Sequence, residues 1–215
     1  MKKFLASIIA VVLAVSGLSV ISITANAATI FINGNYEYTV NSDDTVNIAG
    51  YNGVATDITI PSQILNKNVV KISANSFYNN STLTSVKIPN TIKVVGSMAF
   101  YGCKNLSSVT LPNTLTEIGY SAFDGTTALT TITIPKTVTK AGNDVFEDSG
   151  LKTATIENGA TAVADNLFSN AKNLTKVTIP NTVKKVGSMS FYGCTKLSSV
   201  TLPNTLTEIG YSAFD

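Results

Sequence analysis

The chain has 215 residues, with 15 lysines against 13 acidic residues and no arginine, histidine or tryptophan, giving a formal charge of +2. Without histidine the usual zinc sites and the Ser-His-Asp or Cys-His constellations cannot be built, so no catalytic residue, metal or cofactor is expected. Without arginine or a basic stripe interleaved with aromatics, the electrostatic footprint of a nucleic-acid binder is missing too. In chain order, Lys2 and Lys3 precede an apolar run from Phe4 to Thr24, and Ala25-Asn26-Ala27 offers small residues to a signal peptidase. Residues 1–27 are therefore predicted to be a signal peptide cleaved before Ala28. The run is also long enough to span a bilayer, and an uncleaved anchor is the alternative. Cleavage leaves thirteen charges of each sign, no membrane segment, and a secreted, extracellular or cell-surface location.

Residues 28–60 precede the repeats and read as a segment with β-hairpin character. Tyr36-Glu37-Tyr38-Thr39-Val40 alternates as a strand does, and Asn41-Ser42-Asp43-Asp44-Thr45 supplies turn formers. Asp43-Asp44 is accordingly read as a turn and not as a catalytic carboxylate pair.

From residue 61 to 215 the chain keeps a metre. Phe77, Phe100, Phe123, Phe146, Phe168, Phe191 and Phe214 follow one another at intervals of 23, with a single interval of 22. A fixed period between 20 and 50 residues marks a solenoid, whose units cannot bury an apolar face alone and stack on one another. Within each unit a Val-x-Ile pair such as Val86/Ile88 or Ile132/Ile134 puts two branched side chains on one face of a strand. Pro89, Pro112, Pro135, Pro180 and Pro203 then end that strand, because proline has no ladder N–H. A Val-x-x-Val-Gly segment follows, and stretches such as Gly96-Ser97-Met98-Ala99-Phe100 are predicted to make one helical or 3₁₀ turn. Gly102, Gly125, Gly193, Asn79 and Asn170 are residues that accept positive φ and close the coil. The unit from Phe146 to Phe168 departs from this: Glu157 replaces proline, the Ile-Gly pair is lost and one residue is deleted. Residues 87–124 and 178–215 differ at only six of 38 places, which reads as an internal duplication of four units. The last unit stops just after Phe214, partway through a repeat.

Cys103 and Cys194 share one phase of the repeat, four coils apart. At ~4.8 Å per coil their separation is on the order of 19 Å, well beyond the ~7 Å limit for a disulfide. No intramolecular disulfide is expected, and both are read as compact thiols filling a tight turn. Asp144, Glu147 and Asp148 cluster near the irregular unit; a solvated acidic turn is the preferred reading over a Ca²⁺ site, since no ligand spacing of a known loop is present. Leu111-Pro112-Asn113-Thr114 and Leu202-Pro203-Asn204-Thr205 look like sortase signals, but they occupy a regular phase of the repeat.

The pattern Ala-Phe-Tyr-Gly-Cys-x-x-Leu-x-x-Val-x-Leu-Pro-x-x-Leu-x-x-Ile-Gly, as in Ala99 to Gly119, resembles the BspA-like, treponemal-type leucine-rich repeat of bacterial secreted and surface proteins. That resemblance implies a right-handed coil with a parallel β-sheet on one side and short strands, turns or 3₁₀/helical turns on the other. The stretch from Tyr36 to Gly53 resembles the amino-terminal cap of that family, which makes residues 28–60 a cap; the resemblance also implies a role in adhesion or protein binding and brings no catalytic residues.

Binding must then be read from the outward strand positions: Ser85, Lys87, Ser108, Thr110, Thr131, Thr133, Thr153, Thr155, Lys176, Thr178, Ser199 and Thr201. These make two columns of mostly hydroxyl groups, which suit exposed strands for plain structural reasons and also suit a wet protein interface. Tyr78, Tyr101 and Tyr192 directly follow an anchor phenylalanine, and Tyr120 and Tyr211 precede one by three. They are the candidate hot spots, since tyrosine is favoured at interfaces. The sequence thus points to a non-catalytic recognition or adhesion protein whose ligand is a protein or surface of unknown identity. The alternatives are the repeat portion of a larger modular enzyme or wall-anchored protein and, more remotely, ice or crystal binding by the threonine columns.

Overall fold

The computed structural model describes residues 11–15, 18–25 and 28–215, with side chains from Thr29 onward. Lys2, Lys3, Asn26 and Ala27, on which the signal-peptide assignment rests, lie outside the described residues. The first five strands, Val11–Val15 (β1), Leu18–Ala25 (β2), Ala28–Asn33 (β3), Tyr36–Val40 (β4) and Val46–Tyr51 (β5), pair antiparallel in sequence. The β4–β5 turn contains Asp43 and Asp44: the Asp43 carboxylate accepts from the Thr45 N–H and hydroxyl, and Asp44 takes a φ of 66°. After Asp57–Thr59 (β6) and Gln63–Ile64 (β7), β5 pairs parallel with Lys67–Ile72 (β8), and the meander gives way to coils.

The coil strands are Ser85–Lys87 (β9), Val94–Val95 (β10), Ser108–Thr110 (β11), Glu117–Ile118 (β12), Thr131–Ile134 (β13), Lys140–Ala141 (β14), Thr153–Ile156 (β15), Ala162–Val163 (β16), Lys176–Thr178 (β17), Lys185–Val186 (β18) and Glu208–Ile209 (β19). Seven coils result, each carrying one anchor phenylalanine. β6 and the odd-numbered strands from β9 to β17 form a front ladder; β8 and the even-numbered strands from β10, together with β19, form a back ladder. Both are parallel, because each coil returns the chain to the same place one layer on. The Val-x-Ile pairs point inward, so that Thr131–Ile134 alternates exposed and buried. Leu83, Val86, Ile92 and Val95 and their equivalents, apart from Val200 and Ile209 in the last repeat, join in one continuous core. Along it Phe77 through Phe214 stack near-parallel at centroid spacings of 4.9 to 5.8 Å. Each offset pair adds about 0.5–1.5 kcal/mol beyond the area its rings bury.

The structure corrects two expectations. No helix or 3₁₀ turn forms around the phenylalanines among the described residues. Met98, Ser121, Asp144, Asn166, Met189 and Ser212, each two residues before an anchor, have φ between 48° and 59°, and a left-handed residue in mid-turn stops a right-handed helix from propagating. Two residues after the anchor the chain is left-handed again, at Asn79, Gly102, Gly125, Asp148, Asn170 and Gly193. The other correction concerns Ser199 and Thr201. They lie in irregular backbone and do not pair with β17, and the neighbouring Val200 and Leu202 are partly exposed instead of sealed into the core.

Candidate functional site

Outward side chains of the front ladder do stand in columns. Ser85 pairs with Ser108 and Lys87 with Thr110; Thr131, Thr153 and Lys176 are in register, as are Thr133, Thr155 and Thr178. All are exposed except Ser85 and Thr153, which are half-buried. The columns are not continuous, however. The front ladder splits into β6–β9–β11 and β13–β15–β17.

Elsewhere the ladder is reinforced by main-chain bonds that recur coil after coil. Ser107 N and Ser108 N donate to Thr84 O, and Lys152 N and Thr153 N donate to Thr130 O. The equivalent bonds from Thr130 and Thr131 to Ser107 O are not made. Over this part of the face lies a polar cleft of about 540 Å³, bordered by Ser108 and Thr110 of β11, Thr131 and Thr133 of β13 and Thr153 and Thr155 of β15, with Glu157 at its end. Glu157 stands where other coils carry proline, and its carboxylate accepts the Lys136 N–H at 2.9 Å.

A second cleft opens on the back, where β14 and β16 do not pair. The cause is one methyl group. At the corner after each back strand Gly96, Gly119, Gly142, Gly187 and Gly210 donate an N–H to the preceding coil at 2.7 to 2.9 Å. A Cβ at Gly119 would lie 2.4 Å from Ser97 N, and one at Gly142 would lie 2.3 Å from Tyr120 N, distances no real Cβ tolerates. Ala164 occupies this corner in the fifth coil, and the bond to Ala141 O is not made. The resulting cleft of about 460 Å³ is bordered by Glu117, Tyr120, Lys140, Asp165 and Asn166.

The tyrosines are only partly gathered. Tyr78 and Tyr101 stack at 5.0 Å with planes 5° apart, Tyr78 exposed and Tyr101 half-buried. Asp124, Glu147 and Ser169 take the same phase in the next three coils, so Tyr192 stands apart from that pair. Tyr120 and Tyr211 occupy a different phase, four coils from each other, and both are exposed. Beside the stack, burial followed by the neighbouring Glu147 carboxylate pushes Asp124 up to about 6. The Asp124 charge in turn raises the Tyr101 hydroxyl.

Asp144, Glu147 and Asp148 are tied to side chains of the next coil. Asp144 Oδ1 accepts from Asn170 Nδ2 at 2.7 Å, and Lys172 lies 3.5 Å from both Glu147 and Asp148. Among the described residues no group of three or more His, Cys, Asp or Glu side chains is placed to hold a metal. Cys103 and Cys194 are buried free thiols, donating to the carbonyls of Phe77 and Phe168 at 3.0 and 3.1 Å. Burial pushes both up to about 12, far from a nucleophile's range.

Residues 51–174 and 161–215 match the BspA type leucine rich repeat region, in six copies. No curated protein matches the chain. Among solved structures, it is similar to a leucine rich cell surface protein from Faecalibacterium prausnitzii A2-165, at 35% identity and a TM-score of 0.68, covering 88% of this chain and 52% of that one. It is also similar to a leucine-rich repeat protein from Bacteroides ovatus ATCC 8483, at 28% identity and a TM-score of 0.67, covering 83% of this chain and 49% of that one. The leucine rich repeat protein of T. pallidum shares the fold at 24% identity and a TM-score of 0.58, over 78% of this chain and 90% of that one. The chain thus spans about half the length of the first two.

Proposed function

Because the chain belongs to the BspA-type leucine-rich-repeat family, we propose that it is a non-catalytic recognition protein, exported by its leader to the cell surface or its surroundings, that adheres to other proteins through its front ladder. The observation that carries this reading is the register of the outward hydroxyls. Thr131/Thr153/Lys176 and Thr133/Thr155/Thr178 make a polar face in register across three coils. Solenoids use such extended faces for binding, and a hydroxyl-rich surface fits an interface whose hydrogen bonds are partly carried by water. Ice or crystal binding fits less well, since the split after β11 and the lysines at 87 and 176 interrupt any lattice match.

The test is immobilised purified chain challenged with extracellular-matrix and bacterial-surface proteins, beside a variant carrying Thr133→Glu and Thr155→Glu. Saturable capture that the double variant weakens at least ~tenfold, about 1.4 kcal/mol, supports the reading. Capture unaffected by those two charges, or no saturable capture by a folded chain, overturns it.

A further inference from the structure

The split front ladder leaves the unpaired edges of β11 and β13 facing each other at the floor of a polar cleft. We propose that this cleft is a strand-acceptor slot: an extended polypeptide segment inserts between β11 and β13 and pairs with both. This rests on the protein-recognition reading above and specifies its ligand as main chain in extended form.

Three observations carry it. First, β11 and β13 run in the same direction and are in phase with the closed ladders on either side, yet their facing groups are unpaired: Ser107 O, Thr130 N and Thr131 N lack the bonds their equivalents make one coil before and one coil after. Unpaired ladder groups are a template for another strand, and main-chain pairing at a sheet edge is a known way to hold extended peptides. Second, the slot can widen. Some Cα atoms of β11 and β13 lie within 8 Å of each other, and accepting a strand sets them ~9.6 Å apart, two ladder spacings. At the same junction the back ladder stays closed through Glu117–Lys140 and Ile118–Ala141, and the turn edge through Ser121 N to Asn143 O and Phe123 N to Val145 O, so the two closed sides together hold the coils while the front widens. Third, the rim matches an extended chain. Ser108, Thr110, Thr131 and Thr133 are short and offer hydroxyls to alternate residues of a guest, with no aromatic platform and no basic group among the residues that border the cleft.

The ligand class is therefore an unfolded or unpaired segment with small or β-branched side chains, recognised chiefly by its backbone. The probe is an acetylated, amidated six-residue peptide of alternating threonine and valine, titrated into the full chain and followed by amide NMR. Two further versions carry N-methyl groups on one or the other alternate set of amides. Insertion shifts the amides of residues 107–111 and 130–134, protects the Thr131 amide from exchange, and makes both N-methylated versions bind at least ~tenfold more weakly.

If only one N-methylated version is weakened, the peptide is adding to a single edge and the slot assignment falls. Equal binding of all three, or shifts confined to other coils, also defeats it. An independent variant, Ser108→Cys with Thr131→Cys, ties the slot shut when oxidised. Peptide binding should vanish on oxidation and return on reduction, and binding that persists in the oxidised form refutes insertion. If the oxidised variant loses the peptide but still captures surface proteins, recognition does not need the slot. If the wild-type chain takes the peptide but captures no protein, the broader adhesion reading fails alone.

Discussion

Ser190 gives a sharp test of the packing, because the chain contains its own control. Its hydroxyl is fully enclosed and has no hydrogen-bond partner, alone in this among the described buried side chains. At the duplicate position 91 residues earlier stands Ala99, also fully enclosed, between the same Gly-Ser-Met and Phe-Tyr-Gly-Cys neighbours. A buried hydroxyl that gives up water without a replacement costs about 1–3 kcal/mol. Ser190→Ala removes that cost and leaves a void no larger than an oxygen atom, so stability should rise by about 1–2 kcal/mol. In a chain of this size that is a melting-temperature gain of roughly 2–8 °C. Ala99→Ser should lose about as much.

Ser76 is the contrasting case: the hydroxyl at the same phase bonds to Ile48 O at 3.0 Å and Ser73 O at 2.9 Å, and Ser76→Ala should destabilise. Thermal and urea unfolding followed by circular dichroism measure all three. A Ser190→Ala variant no more stable than the parent, together with an innocuous Ala99→Ser, would falsify the claim that this hydroxyl is orphaned.

The other predictions follow from the corner, the thiols and the acidic turn. Ala164→Gly should let residue 164 donate to Ala141 O, close the back ladder between β14 and β16, and slow exchange of that amide. Gly119→Ala should do the reverse, destabilising by about 1–3 kcal/mol through overpacking against Ser97. Both cysteines should resist a thiol reagent at pH 8 in the native chain and react fully in denaturant, without prior reduction; a monomer showing no thiol after unfolding would contradict the four-coil separation. Asp124 is raised to about 6 when folded, against an ordinary value near 3.8. The folded chain therefore binds this proton more tightly than the unfolded one, and the contribution is complete below pH 3.8 and lost as pH rises through 6. Asp124→Asn should flatten the pH dependence of the melting temperature between those limits, and an unchanged profile would rule out Asp124 as its source.

Much of this architecture was legible in the residues because a solenoid repeats its constraints. Seven phenylalanines in metre specified the stack, Val-x-Ile specified the inward face, and proline marked the strand ends. The helical turn misled for a physical reason: Ser97-Met98-Ala99-Phe100 has ordinary helical propensity, but the coil must return to its start within 23 residues, and it does so by forcing Met98 to a φ of 54°. Nothing in a methionine signals that. The outward columns were legible from period two alone, but the fate of Ser199 and Thr201 was not, because a strand's existence depends on its partners and not on its own sequence.

The clefts divide the same way. The back one carried a visible sign, the missing corner glycine in the fifth coil, whose meaning needed the distance between backbones. The front one separates coils of regular spacing and has no counterpart in the residue pattern.

The two splits fall on successive junctions and on opposite faces. Of the two ladders, the fourth coil, from β13 through β14 to Phe146, shares only the back one with the third coil, by β12–β14, and only the front one with the fifth, by β13–β15; along the turn edge it stays bonded to both, through Phe123 N to Val145 O and Asn170 Nδ2 to Asp144 Oδ1. Mechanically it is a link with offset bracing, one junction less braced at the front and the next at the back. A rod built this way need not be uniformly stiff. The fourth coil, near its middle, is the place where both neighbouring junctions lack a ladder, one on each face.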